Sequence, residues 1–200
     1  MLADRRSRLR SATESAHRRL DGVVNDAGYF LDRPSYAAYL QATLRARQPV
    51  ELALNECGAE KLFVPWPNRT IVSALCSDIQ DVTEAAAPIE INSIVLGKKF
   101  SPAQAIGTLY VLEGSALGAR HLAPRAHSLG MSPTFGARHF AHQTAIPKTW
   151  SAFLRVLEAV SFDASQEDEC VAAARAAFDR FERAYAGEIF GRLKGAVVEL

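Results

Sequence analysis

His17 stands in the middle of an apolar helical face, with an acid and a base on either side of it. Leu9, Ala12, Thr13, Ala16, Leu20 and Val24 recur around it at three- and four-residue intervals, so the segment from about Asp4 to Asn25 reads as one helix. A histidine so placed is either a satisfied core residue or a ligand donor. Asp21, one turn on, is placed to accept the Nδ1 proton, which leaves Nε2 as a lone-pair donor to a metal. Arg10 lies two turns back on the same face, about 10 Å along the axis. A metal on His17 would therefore have a cation roughly one macrocycle radius away.

The second pattern is a pair of glycines, Gly114 and Gly118, inside a long apolar segment. Ser101-Pro102-Ala103-Gln104 starts that segment with an N-cap serine, a proline at the first helical position and a glutamine at the capping-box position. The helix should begin near 101 and run well past 114. Each interior glycine costs about 1 kcal/mol against alanine, so the pair needs a reason. At spacing i, i+4 both fall on one face, with Tyr110 one turn before and His121 close to the same line. The result is a stripe of helix without side chains. Either a neighbouring helix packs closely there, or the helix kinks, or a flat ligand lies across the backbone.

Weaker patterns complete the inventory. His139 and His142 have the spacing of a metal pair but no evident third ligand, so they read as a surface histidine pair. Arg5, Arg6, Arg8 and Arg10 oppose the macrodipole at a helix N-terminus; they form either a solvated face or a landing surface for an acidic partner. Cys57, Cys76 and Cys170 are odd in number and fit no metal spacing, which predicts reduced core thiols.

The positioning elements follow from the rest of the pattern. A second helix is expected over about 34–57, kinked at Pro49, and a third over about 69–86 capped by Asn68. Pro88 to Phe100 reads as irregular, and Ser128 to Pro147 as a long loop or broken helix. Further helices are expected over 147–160 and about 165–194, the last starting at Ser165-Gln166-Glu167-Asp168. The 200 residues, 48% apolar and 22% charged, suit one all-α domain, 1–200, of six or seven helices. A net charge of +1 argues against a nucleic-acid binder or a polybasic membrane protein. No run is long enough to cross a bilayer and no signal-peptide core follows the basic N-terminus, so a soluble, cytoplasmic protein is expected.

Two stretches together resemble a known family. Leu9-Arg10-Ser11-Ala12-Thr13, followed after three residues by His17-Arg18-Arg19-Leu20-Asp21, resembles the proximal-helix motif of heme oxygenases. Gly107-Thr108-Leu109-Tyr110-Val111-Leu112-Glu113-Gly114-Ser115-Ala116-Leu117-Gly118 is similar to their distal helix in its bacterial form, and the closing helix through Phe178 and Phe181-Glu182 is similar too. The resemblance implies a heme-oxygenase-like helical bundle that cleaves heme b, its substrate and cofactor, with O2 and external electrons to biliverdin, CO and Fe2+. It implies His17 as the iron ligand, Asp21 behind it, and Thr13 within the same motif. Gly114, Ser115 and Gly118 would lie over the iron, and Arg10, Tyr110, Lys148 and Arg155 are candidates for the propionates. It also implies a ferredoxin or its reductase as electron donor, and a role in iron release or in supplying biliverdin to a bacteriophytochrome. Mammalian members carry Asp where this chain has Ser115 and often a second Gly where it has Ala119, a departure that bears on proton delivery. The alternatives are a non-catalytic heme sensor or carrier of the same fold, or a non-heme member of the architecture, such as a thiaminase-like hydrolase. The latter needs a catalytic cysteine or an acid–histidine cluster that the motifs do not supply. His121 would lie past the pocket or face a neighbouring helix.

Overall fold

A computed structural model describes residues 4–85 and 99–198, with side chains as far as 188. Among those residues there are seven α-helices: α1 (Arg5–Asp26), α2 (Arg33–Cys57), α3 (Val72–Thr83), α4 (Pro102–His127), α5 (Arg138–Thr144), α6 (Thr149–Ala159) and α7 (Ala164–Val198). Among the described residues there is no strand, only isolated bridges at Ser132 to Gly136. The expected irregular stretch from Pro88 lies outside the described residues except for its last two. No helix among the described residues is long and apolar enough to cross a membrane.

Local signals set most helix starts. Asp4 caps α1 by accepting from the Ser7 amide at 2.6 Å, and Asp32 caps α2 through the Ser35 amide at 2.8 Å. The capping box of α4 is complete: Gln104 N donates to Ser101 Oγ at 3.2 Å and Ser101 N to Gln104 Oε1 at 3.0 Å. Asp163 and Gln166 form the same reciprocal box before α7, two residues earlier than the serine expected from the sequence. α2 runs unbroken through Pro49 to Gly58, whose φ of 76° ends it in the left-handed region.

α3 departs from expectation. Residues 66–69 form a separate 3-10 turn, and Asn68 does not cap the helix. The cap comes from α2 instead: Glu51 accepts from the Ile71 and Val72 amides at 2.8 and 3.3 Å. A carboxylate twenty residues away does what a local Asn would do, and it favours the helix N-terminus through its charge.

The long helix α7 is the spine against which α1, α2 and α4 pack, while α1 and α4 barely touch one another. The α4–α7 contact is close because of Gly107. A Cβ there would fall inside the carbonyl of Cys170. Gly107→Ala is therefore expected to destabilise the fold by roughly 3 kcal/mol or more through forced backbone separation, read as a lower midpoint in urea. The Cys170 thiol beside it is buried and pushed up to about 12 by desolvation, so it stays protonated and inert.

The N-terminal arginines are not a free landing surface. Arg5, its side chain only 8% exposed, donates from Nε to Glu167 at 3.0 Å, reaches the Leu157 carbonyl, and lies over the Phe162 ring. Arg8 pairs with Asp168. They fasten α1 to the end of α6 and the start of α7, and only Arg6 and Arg10 of the four remain exposed.

His139 likewise departs from the surface-pair reading. It is fully buried, while His142 is exposed. Asp78 Oδ2 accepts from His139 N at 2.9 Å and lies 2.7 Å from Nδ1, and Asp78 Oδ1 accepts from Arg138 N at 2.9 Å. Burial holds the imidazole below its usual value, outweighing the pull of Asp78 in the other direction; the nearby Arg47 adds to the depression. The unfolded chain thus binds a proton that the fold refuses, so stability falls as pH drops below about 6.5. The melting temperature should decline from pH 7.5 to pH 5.5, and His139→Gln should flatten that decline.

Candidate functional site

α1 and α4 meet through Tyr110 and Thr13. Tyr110 is half-buried and its phenol is within hydrogen-bonding reach of Thr13. Burial raises this phenol above its ordinary value, while the Thr13 contact and the charges of Arg6 and Arg10 pull it back. Thr13 is buried and donates its own proton to the Leu9 carbonyl at 2.8 Å. One turn along each helix, about 6 Å by the helical rise, stand His17 and Gly114. The two motifs that looked independent in the sequence are thus adjoining.

His17 is exposed, its side chain 61% accessible. Nδ1 lies 2.9 Å from Asp21 Oδ2, and the ring sits 5.6 Å from the Phe178 ring of α7, tilted to it by 59°. With Nδ1–H donated to Asp21, the Nε2 lone pair faces outward. Arg10 is exposed two turns back along α1, its charge felt by Tyr110.

Gly114 and Gly118 are not packing glycines. A Cβ on Gly118 would meet nothing within 4 Å, and one on Gly114 would meet only the Trp150 ring, at 3.8 and 3.9 Å. α4 is continuous across both. Close helix packing, one of the three explanations for the pair, is thereby removed. Ser115 is exposed and donates to the Leu112 carbonyl at 2.6 Å, leaving its oxygen lone pairs to accept from whatever lies outside. His121 is exposed, three residues beyond Gly118.

The exposed imidazole and the bare stretch of helix thus stand on two helices joined through Thr13 and Tyr110. The sequence profile of the heme oxygenase family matches residues 4–186. The chain belongs to the heme oxygenase family.

It is 29% identical over 178 residues to the heme oxygenase PigA of Pseudomonas aeruginosa, covering 88% of this chain and 89% of that protein. A heme oxygenase of Xanthomonas campestris is 27% identical over 158 residues, covering 79% of this chain and 93% of its own. Among solved structures, the NO- and CO-bound heme oxygenase of Neisseria meningitidis aligns with a TM-score of 0.81 at 24% identity, covering 93% of this chain and 92% of that one. The heme oxygenase of Leptospira interrogans aligns at 0.73 and 16% identity, covering 92% and 100%. These structural likenesses carry the fold, and the family membership carries the enzyme class: heme degradation to biliverdin.

Two further candidate residues line hollows of their own. Arg155 lines a separate apolar groove of about 410 Å³ with Leu62, Phe63 and Pro65. Lys148 has a φ of 63° and lines a second hollow of about 250 Å³ beside Arg120 and Trp150. Two features escaped the sequence reading. Trp150 is the wall against Gly114, and its ring is tilted by 51° to that of Tyr110 with centroids 5.6 Å apart. Behind α4 lies a buried charge group, Arg47–Glu51 at 2.6 Å and Arg69–Glu113 at 3.0 Å. The four-residue spacing of Arg47 and Glu51 inside an apolar helix was its one visible trace.

Proposed function

We propose that this heme oxygenase seats its substrate between α1 and α4, and opens the ring with O2 and electrons from a ferredoxin or its reductase. The products are biliverdin, CO and Fe2+. When bound, heme supplies the iron that takes O2 and the ring that is oxidised. His17 offers Nε2 to the iron, and Asp21, holding Nδ1–H, keeps that nitrogen outward and basic. A neutral imidazole lacks the electron push of a thiolate, which suits oxidation of the ring in preference to O–O cleavage. Gly114 and Gly118 let the α4 backbone form the roof over the iron. Ser115 accepts a hydrogen bond from water there, the task an aspartate performs in mammalian members. Arg10, exposed beside Tyr110, is the cation best placed for a propionate.

The observation that carries this reading is the contrast among the glycines of α4: Gly107 is consumed by packing, whereas Gly118 opens onto empty space. Hemin titration followed by reductant and oxygen tests it. The expected result is a Soret band on loading, then its decay as biliverdin absorption grows. A Soret band that persists under turnover conditions identifies a carrier or sensor, and no Soret shift at all rejects heme as the ligand.

A further inference from the structure

Arg69, 2% exposed, lies in the 3-10 turn before α3 and reaches two elements at once. Its Nε donates to the Glu113 carboxylate of α4 at 3.0 and 3.3 Å. Its Nη1 donates to the His142 carbonyl near the end of α5 at 3.4 Å. Glu113 immediately precedes Gly114, and the segment after His142 delivers Trp150 onto Gly114. One guanidinium thus spans the two walls of the same corner. Arg69 is itself held: its carbonyl accepts from Arg47 Nη2 at 3.2 Å, and Arg47 is locked to Glu51, the cap of α3. A planar guanidinium fixes two directions together, which an ammonium does not, and a buried charge pair broken on one side leaves the other uncompensated.

We infer that Arg69 is a positioning residue for heme opening: by clamping Glu113 and the α5 terminus it sets the spacing between Trp150 and the Gly114–Gly118 backbone. Through that spacing it governs how the ring rests under α4 and which meso carbon is attacked. The inference rests on the seating proposed above, so the wild-type hemin titration is read first; failure there removes the seating and is distinct from any outcome below.

The test is Arg69→Lys, which keeps the charge and loses the fork. Three readouts apply: the C–O stretch of the ferrous–CO complex, the biliverdin isomer ratio, and Trp150 fluorescence in the apoprotein on a Trp66→Phe background. The expected result is a shifted or broadened C–O stretch, a mixed isomer product, a displaced emission maximum, and turnover lowered roughly 10-fold or more with KM changed much less. Glu113→Gln, which retains an acceptor, carries the same readouts should Arg69→Lys fail to fold. Tyr29→Phe is the control, since it removes a buried hydrogen bond to the Tyr185 carbonyl. It should lower the melting temperature without moving any of the three. Wild-type spectra and isomer ratio in both α4-side variants overturn the inference, as does an equal displacement in Tyr29→Phe, which would reduce Arg69 to a stabilising residue.

Discussion

His17→Ala is expected to abolish heme turnover and the histidine-ligated ferric spectrum while leaving the apoprotein folded. The fold does not depend on this ring: it is mostly solvent-exposed, and its exposed pair with Asp21 is worth about 1 kcal/mol or less. The Phe178 contact adds little, because Phe178 is buried by its other neighbours in the core. The loss is therefore chemical. Without Nε2 no other described side chain has been placed to replace it from α1, and hemin, if it still enters, is held by its ring and propionates alone. Absorption spectra of the ferric complex, before and after added imidazole, provide the measurement. Imidazole should restore the wild-type bands in His17→Ala by filling the vacated position. Asp21→Ala, which frees Nδ1 but keeps the ligand, should reduce turnover or hemin affinity by roughly 10- to 100-fold. An unchanged ferric spectrum in His17→Ala would transfer the ligand role elsewhere, with the exposed His121 the first residue to examine.

What the sequence made legible was whatever is written locally. The capping box at Ser101 and Gln104 and the apolar period around His17 need only neighbours within one turn, and each appears in the structure. The start of α3 was misread because its cap is Glu51, supplied from another helix; nothing near Asn68 records that. His139 was misread for the same reason. Its partner Asp78 lies sixty-one residues away, and without a partner a histidine beside Arg138 looks like surface. The arginines at the start of α1 looked free because Glu167 and Asp168 are equally remote. The glycines show the limit most clearly. Spacing placed Gly114 and Gly118 on one face, but close packing stayed among the explanations until the neighbours of each Cα were known. Gly107, which the α4–α7 contact needs, carried no special mark beyond its place in the same motif.

Those neighbours make Gly118→Leu the sharpest test of α4 as a roof. In a helix interior, replacing glycine with leucine gains up to about 1 kcal/mol of propensity, and at Gly118 the first side-chain atom meets nothing within 4 Å. The apoprotein should melt at or above the wild-type temperature, the opposite of Gly107→Ala, where the clash is with backbone. The leucine then occupies the space over the bare helix. Hemin should still bind through His17, since α1 is untouched, but the ferrous complex should take up neither O2 nor CO and turnover should fall below detection. Gly118→Ala supplies the intermediate step: one methyl narrows the space without filling it, so CO affinity should fall between the two. Flash photolysis of the CO complexes measures that order. If Gly118→Leu binds CO and degrades hemin as the wild type does, the open side of α4 faces solvent only. The glycine pair would then have no account in the bound state, and the substrate would have to be placed against a different helix.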